Sequence, residues 1–393
     1  MEVLYLHIGT HKTGTTSLQT FFRDNSALLK KKGIVYPKTG RARMGAHHHL
    51  ISAISVPPHP EFKPKKSFTD YIAELNNEVA EDARCLISTE ILNEIIDFSR
   101  LELFKTVAKK VKIIVYLRRQ DHFLESGYSF EVRRGYTMSF AHYCTEWSLN
   151  YADLCGRYAD IFGKENIIVR PYEKRQFHGG DIFSDFLDVL GLELTDAYRL
   201  PRKNPNPSLS RDALEYMYCI NRLPLTKEEV LAFSPIILAF SGRAGKDAIF
   251  LPHDMLSHRE RAALMAPYLE GNEEVAREYL GRTDGKLFYE PLGGSDETDA
   301  PYPGLTDERV TDITRFILDR SKFAVMVLKD GIRAGLASDE PGEYQSAKTL
   351  SVALKCKPFF LERSTVSFLR YVNRKKQNAK EVIKRCVVKL LNR

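Results

Sequence analysis

The stretch that most constrains the fold runs from Leu4 to Gln19: Leu-Tyr-Leu-His-Ile-Gly-Thr-His-Lys-Thr-Gly-Thr-Thr-Ser-Leu-Gln. Its apolar opening reads as a short buried strand, Gly9 to Ser17 as a phosphate-cradling loop, and Ser17 onward has helical periodicity. A strand feeding a glycine loop and then a helix is the opening of a parallel α/β sheet. It also builds an anion site, because backbone N–H groups at a helix N-terminus point at a bound phosphate. A Walker-type loop reads G-x-x-x-x-G-K-[ST]; Gly9 and Gly14 have that spacing and Thr16 occupies the last position, but Thr15 stands where the lysine belongs. The only lysine of the loop is Lys12, inside the turn. A nucleoside triphosphatase needs its lysine across the β- and γ-phosphates. This loop therefore holds a phosphate with a different leaving group in view.

A second landmark lies about a hundred residues further on. Val111-Lys-Ile-Ile-Val-Tyr-Leu117 reads as a central parallel strand, and it ends in Arg118-Arg-Gln-Asp-His-Phe-Leu-Glu-Ser126, a loop entering a helix. The eight-residue spacing puts Arg118 at the carboxyl edge of the strand and Ser126 about two turns into the helix. An Arg fork and a hydroxyl both donate to phosphate oxygens.

With these residues in place, the N-terminal loop resembles the 5′-phosphosulfate loop of sulfotransferases that use 3′-phosphoadenosine 5′-phosphosulfate (PAPS). The resemblance implies that Lys12 contacts the bridging oxygen between sulfate and phosphate, where charge builds as the S–O bond breaks. It implies that the backbone N–H groups of Thr13, Gly14, Thr15, Thr16 and Ser17 hold the 5′-phosphate, with Lys12 beside them; His11, in the same loop, either touches the phosphate or shapes the turn. Arg118 with Ser126 resembles the 3′-phosphate site of the same family. The family often has Asp or Asn and then Pro after that Arg; here Arg119 and Gln120 follow, which leaves open whether Arg119 shares the phosphate. The resemblance covers roughly residues 1 to 290 and is motif-specific only at the two phosphate sites.

The rest of the pattern agrees with an α/β fold, a P-loop-type parallel sheet flanked by helices with a helical C-terminal extension. Strands are expected at 3–8, 84–88, 111–117 and 165–170, with helices near 15–31, 68–82, 119–134 and 151–162. Strands separated by helices imply parallel pairing through right-handed crossovers, with ligands gathered outside the carboxyl ends of the strands. From about 171 the chain reads as mostly helical. A proline-rich connector spans 201–210, with Ser210 as a helix N-cap and Arg202 and Lys203 placed either to close over the nucleotide or as an exposed basic loop. The expected division is an α/β domain over 1–290, then a linker and helical extension with a basic tail over 291–393.

For the acceptor side, sulfuryl transfer to a hydroxyl needs a base, commonly Glu or His. Glu90 follows the second of these strands on the same rim as Lys12, and resembles the Ser-Glu pair after that strand in bacterial sulfotransferase-like sequences. Its alternative is a charge complementing a helix dipole. The run His47-His48-His49 is the second source, with one ring directed into the cleft as base or acceptor-binding group. Three consecutive histidines cannot share one face, and no His/Cys/carboxylate spacing suggests a metal; sulfuryl transfer requires none.

Among the 393 residues, the stretch 355–393 has twelve Lys or Arg against two Glu, a net of +10, which leaves 46 basic and 49 acidic residues elsewhere. The basic surplus is all tail. Its apolar spacing is helical, so it suits either an anionic membrane surface or docking on the body with a solvated basic face. Nucleic acid is not expected, since no recognition module accompanies the charge. Six scattered cysteines without a C-x-x-C read as reduced thiols, Cys85 as strand packing. With no apolar run of eighteen residues and no signal-like leader, the expected location is the cytoplasm, with a peripheral place at the inner membrane face if the tail binds lipid.

The sequence thus leads to the expectation of a sulfotransferase moving the sulfuryl group of PAPS to a hydroxyl of a glycan or glycolipid sugar. Two alternatives stand beside it. One is a P-loop small-molecule kinase using ATP and magnesium. The other is a non-catalytic nucleotide- or glycan-binding module.

Overall fold

The computed structural model describes residues 1–94, 97–201, 209–244, 255–292 and 302–355. These divide into two compact units, each assembled from separate stretches of chain. The first holds Met1–Phe123, Ser148–Asn206 and His258–Glu297; the second holds Leu124–Trp147, Pro207–Ser257 and Thr298–Arg393.

The first unit is built on a five-stranded sheet: β1 (Val3–His7), β2 (Ile34–Val35), β3 (Arg84–Ser88), β4 (Lys110–Leu117) and β5 (Ile167–Pro171), in the order β2-β3-β1-β4-β5. Every pairing is parallel, and the register sets His7 opposite both Ser88 and Ile114. The strands are apolar because both faces are covered. On one face Leu4, Leu6, Cys85, Ile87, Ile113 and Val115 enter one buried cluster. On the other, Tyr5, Leu86, Ile114 and Tyr116 join Leu18, Phe22 and Phe186 from the flanking helices. Strand alternation sorts the side chains, and each fully buried apolar group contributes about 1.5–3 kcal/mol relative to exposure.

The topology fixes where a ligand belongs. From β1 the chain crosses to β2 and β3 on one side, and later strands add on the other, so the order reverses at β1. Loops leaving adjacent strands in opposite directions open a crevice at that point. The loop after β1, the residues after β3 and the start of the segment after β4 all meet this rim.

Local chemistry accounts for the departures from the expected elements. The helix expected over 15–31 breaks into Thr15–Asp24 and Ser26–Lys31 at Asn25. The Asn25 amide donates to the carbonyls of Phe21 and Arg199 and its oxygen accepts from the Arg199 N–H, drawing the chain out of helix geometry. The helix expected over 68–82 runs Phe68–Glu78, opened by a Ser67–Asp70 capping box and ended by an extended Val79. The edge strand β2, only two residues long, was not among the expected strands.

In the second unit the described residues are helical: Phe140–Thr145, Arg211–Asn221, Lys227–Ala244, Asp307–Leu318, Lys322–Leu336 and Pro341–Leu350. Ser210 occupies the N-cap position expected for it, but its hydroxyl makes no capping bond and is buried without a partner; its N–H instead meets Ser241 Oγ at 3.1 Å. Arg202, Lys203, the 293–301 stretch and the basic tail from 356 onward lie outside the described residues. Among the described residues, no helix is long and apolar enough to cross a membrane.

Candidate active site

The glycine loop leaves β1 and turns sharply. Gly9 has φ 42°, and a Cβ there would lie 2.4 Å from Thr15 Cγ2, so only glycine fits. Gly14 has φ 74° and serves as the N-cap of the helix Thr15–Asp24. It offers no side chain to the first N–H groups of that helix, and no acidic residue sits in the first turn. Those donors and the positive end of the helix dipole face the crevice. The turn is braced from below. Thr10 donates its N–H and hydroxyl to the Tyr116 carbonyl, at 3.3 and 2.9 Å, and Thr13 Oγ1 donates to the Thr10 carbonyl at 2.6 Å.

Lys12 sits in the left-handed region at φ 67°, the one non-glycine residue to do so among the described residues. A non-glycine backbone there costs about 1–3 kcal/mol and persists where the surroundings impose it. The imposing contact comes from the second motif: Arg118 Nη1 donates to the Lys12 carbonyl at 2.8 Å. The parallel pairing of β1 with β4 brings the loop and Arg118 together across 106 residues. Arg118 is held in turn by Tyr151, whose hydroxyl donates to its carbonyl at 2.5 Å, and by Tyr172, whose ring centroid is 5.8 Å from its guanidinium carbon. His11 is half-buried in the turn beside Lys12. Ser126 lies half-buried on the helix Gln120–Val132 and belongs to the second unit, so it is placed here only by its position on that helix.

Arg119, left open by the sequence, is committed elsewhere. It is buried, with Nε and Nη2 on the Asp121 carboxylate at 2.8 and 2.9 Å and Nη1 on the carbonyls of Glu290 and Pro291 at 2.7 and 2.9 Å. Arg261 adds a third bond to Asp121 at 2.5 Å. Burial alone would raise the Asp121 carboxyl, but the arginines outweigh it and hold it well below the usual carboxylate range.

Glu90 follows β3, half-exposed on the rim. Gln19, buried on the loop's helix, donates Nε2 to Glu90 Oε2 at 2.8 Å, so one helix carries both the loop and the support of the carboxylate. Asn93 links the two further: its amide donates to the carbonyls of Ile8 (2.7 Å), Gly9 and Glu90 (3.3 Å).

The histidine run separates into three environments. His47 is fully buried; its Nδ1 accepts from the Ser88 N–H at 3.2 Å, so Nε2 carries the proton given to the Pro37 carbonyl at 3.0 Å. Burial lowers it to about 3, and with both nitrogens on backbone it pins β3 to the Pro37 turn instead of facing a substrate. His48, also buried, bonds through Nδ1 to Thr89 Oγ1 at 2.8 Å, beside Glu90, and packs against Phe62 with ring centroids 4.0 Å apart and planes tilted by 31°. His49 gives its Nδ1 proton to the Lys63 carbonyl at 3.1 Å, which leaves Nε2 with the lone pair in the neutral ring.

Sequence reasoning missed two functional neighbours. Gln19 was legible as a helix residue, but its carboxylate partner is 71 residues away. His7, buried under the loop, bonds Ser88 Oγ through Nδ1 at 2.8 Å, has no partner at Nε2 and is lowered to about 3 by burial. Among the described residues no group of three or more His, Cys, Asp or Glu side chains is arranged to hold a metal ion.

No protein-family model matches the chain. It is 30% identical over 191 residues, 48% of its length, to an uncharacterized protein from Archaeoglobus fulgidus. The matched part is half of that relative, so the chain spans about half the length of the curated protein it matches. A crystal structure of a sulfotransferase from Alicyclobacillus acidocaldarius is similar over 55% of this chain and 91% of that one, at 18% identity and a TM-score of 0.36, a likeness too distant to carry an argument.

Proposed function

We propose that the protein is a PAPS-dependent sulfotransferase whose acceptor is a sugar hydroxyl of a glycan or glycolipid. The observation that carries this reading is the bond from Arg118 to the Lys12 carbonyl, which joins the two phosphate motifs at one strand edge and holds Lys12 at the apex of the turn.

The residues present fit the nucleotide. The uncapped N–H groups from Thr15 onward suit a 5′-phosphate, and Arg118 suits a 3′-phosphate, a role that the sequence resemblance gives also to Ser126. The 3′-phosphate is the feature that selects PAPS over ATP.

The chemistry assigned to the chain's own groups is short. Glu90 accepts the proton of the acceptor hydroxyl, whose oxygen forms a new bond to sulfur while the sulfur–phosphate oxygen bond breaks. Lys12 meets the charge that develops on the leaving phosphate oxygen. The products are a sulfate ester, adenosine 3′,5′-bisphosphate and a proton on Glu90. Gln19 acts through Glu90, orienting its carboxylate. His48, bonded to Thr89 beside Glu90, is the second residue to examine as base or acceptor contact.

The test is transfer of labelled sulfuryl from PAPS to a panel of oligosaccharides and glycolipids. Labelled product with the wild type, reduced at least a hundredfold by Lys12→Ala, is expected. Phosphoryl transfer from ATP with magnesium instead, or bound nucleotide without turnover on any acceptor, contradicts the reading.

A further inference from the structure

Resting on the sulfotransferase reading, the structure assigns a second, distinct task to the turn that follows β2. We infer that the open cleft between this turn and Lys65 and Lys66 binds an oxyanion carried by the acceptor, with Arg41 as its anchoring cation. The acceptor is then an acidic sugar or a phosphorylated one.

The cleft has a volume of about 260 Å3. Its walls carry Lys38, Arg41, Lys65 and Lys66 against Glu74 and Glu78. The two acids are already engaged. Glu74 is paired with Lys66. Glu78 Oε2 accepts from the N–H groups of Lys38 and Thr39 at 2.7 and 3.1 Å and from the Thr39 hydroxyl at 3.2 Å, fastening the turn. The surplus charge of the cleft is therefore positive.

Arg41 shows what is missing. Its guanidinium carbon lies 5.5 Å from the centroid of the Tyr36 ring, and its Nη1 is enclosed with no hydrogen-bond partner. A buried donor of this kind is costly when unmatched, and a guanidinium fork fits a carboxylate or phosphate with two parallel bonds. A ligand oxygen in the cleft meets the edge of the Arg41 guanidinium that lines it, not the enclosed Nη1.

Position connects the cleft to the rim. The Tyr36 ring meets His47 edge-on at 4.8 Å, and its hydroxyl donates to the Gly45 carbonyl at 2.8 Å. A Cβ on Gly45 would lie 2.6 Å from the Gln19 carbonyl, so the far end of the turn rests on the residue that holds Glu90. An anion on Arg41 thus anchors the acceptor on the turn whose far end packs against Gln19.

The experiment is calorimetric titration of the full chain with glucuronate, glucose 6-phosphate and glucose, with and without adenosine 3′,5′-bisphosphate. At least one charged sugar is expected to bind tenfold or more tightly than glucose, which also tells a carboxylate ligand from a phosphate one. That advantage should fall below threefold in Arg41→Ala and shrink in Lys38→Ala, with nucleotide affinity unchanged. Lys38→Ala decides the matter if Arg41→Ala melts early. Equal affinity for charged and neutral sugars, or an advantage untouched by the folded variants, overturns the inference. The two readings fail separately: charged-sugar discrimination on Arg41 without nucleotide binding would sink the PAPS assignment and leave the anion subsite standing.

Discussion

Lys12 combines strain with a functional assignment. A lysine at φ 67° gains nothing locally from that backbone, whereas glycine adopts it freely. Lys12→Gly should therefore leave stability unchanged or raise it by up to about 1 kcal/mol in denaturant unfolding, while sulfuryl transfer falls at least about a hundredfold. A variant that loses stability and keeps turnover would remove Lys12 from both roles. At Glu90 the contrast is between removing a base and loosening it. Glu90→Gln should abolish most of kcat, and Gln19→Ala should lower kcat moderately, because Gln19 only orients the carboxylate. His47→Ala should lower melting temperature and leave the kcat of the folded enzyme near wild type, since both ring nitrogens serve backbone groups. A large loss of kcat in a folded His47→Ala protein would restore it as a base.

Among elements, the junction of β4 with the helix Gln120–Val132 is the most heavily tied. Arg119, Arg261 and Asp121 form a buried ionic cluster that also fastens the 290–291 carbonyls. Asp121→Asn leaves two buried guanidiniums short of their counter-charge and should cost about 3–5 kcal/mol by denaturant unfolding. A cost under 1 kcal/mol would mean that the cluster is solvated or replaceable. This junction also shows how far sequence reading reaches. The loop after β1 and the four longer strands were legible because apolar runs and glycine spacing are local signals. The roles of Arg119 and His47 were not, because each depends on partners supplied by other elements: carbonyls 171 and 172 residues away for Arg119, and the N–H of Ser88, 41 residues away, for His47. The strand β2 escaped because two residues carry no period, and the break at Asn25 depends on Arg199, 174 residues distant.

For the molecule as a whole, two buried rings and one half-buried ring contribute to the response to acid. Burial lowers His7, His47 and His122 to about 3, from an ordinary value of 6.5. Between those values the unfolded chain binds protons that the folded chain excludes, so stability is full above about pH 6.5 and is lost as pH falls toward 3. Each ring contributes up to about 1.4 kcal/mol per pH unit in that window. Unfolding measured from pH 7 to 4 should show a steep fall, softened in His47→Gln; a flat profile would mean that the rings are charged or exposed. The central claim, that the rim reads a 3′-phosphate, is tested most directly by comparing adenosine 3′,5′-bisphosphate with 5′-ADP, and with ATP plus magnesium, by thermal shift. A ligand that binds only the folded chain raises its stability with concentration over Kd. The account predicts a clear preference for the 3′-phosphorylated nucleotide without metal, lost in Arg118→Ala. Preference for ATP with magnesium, or no stabilisation by any of the three, would contradict it.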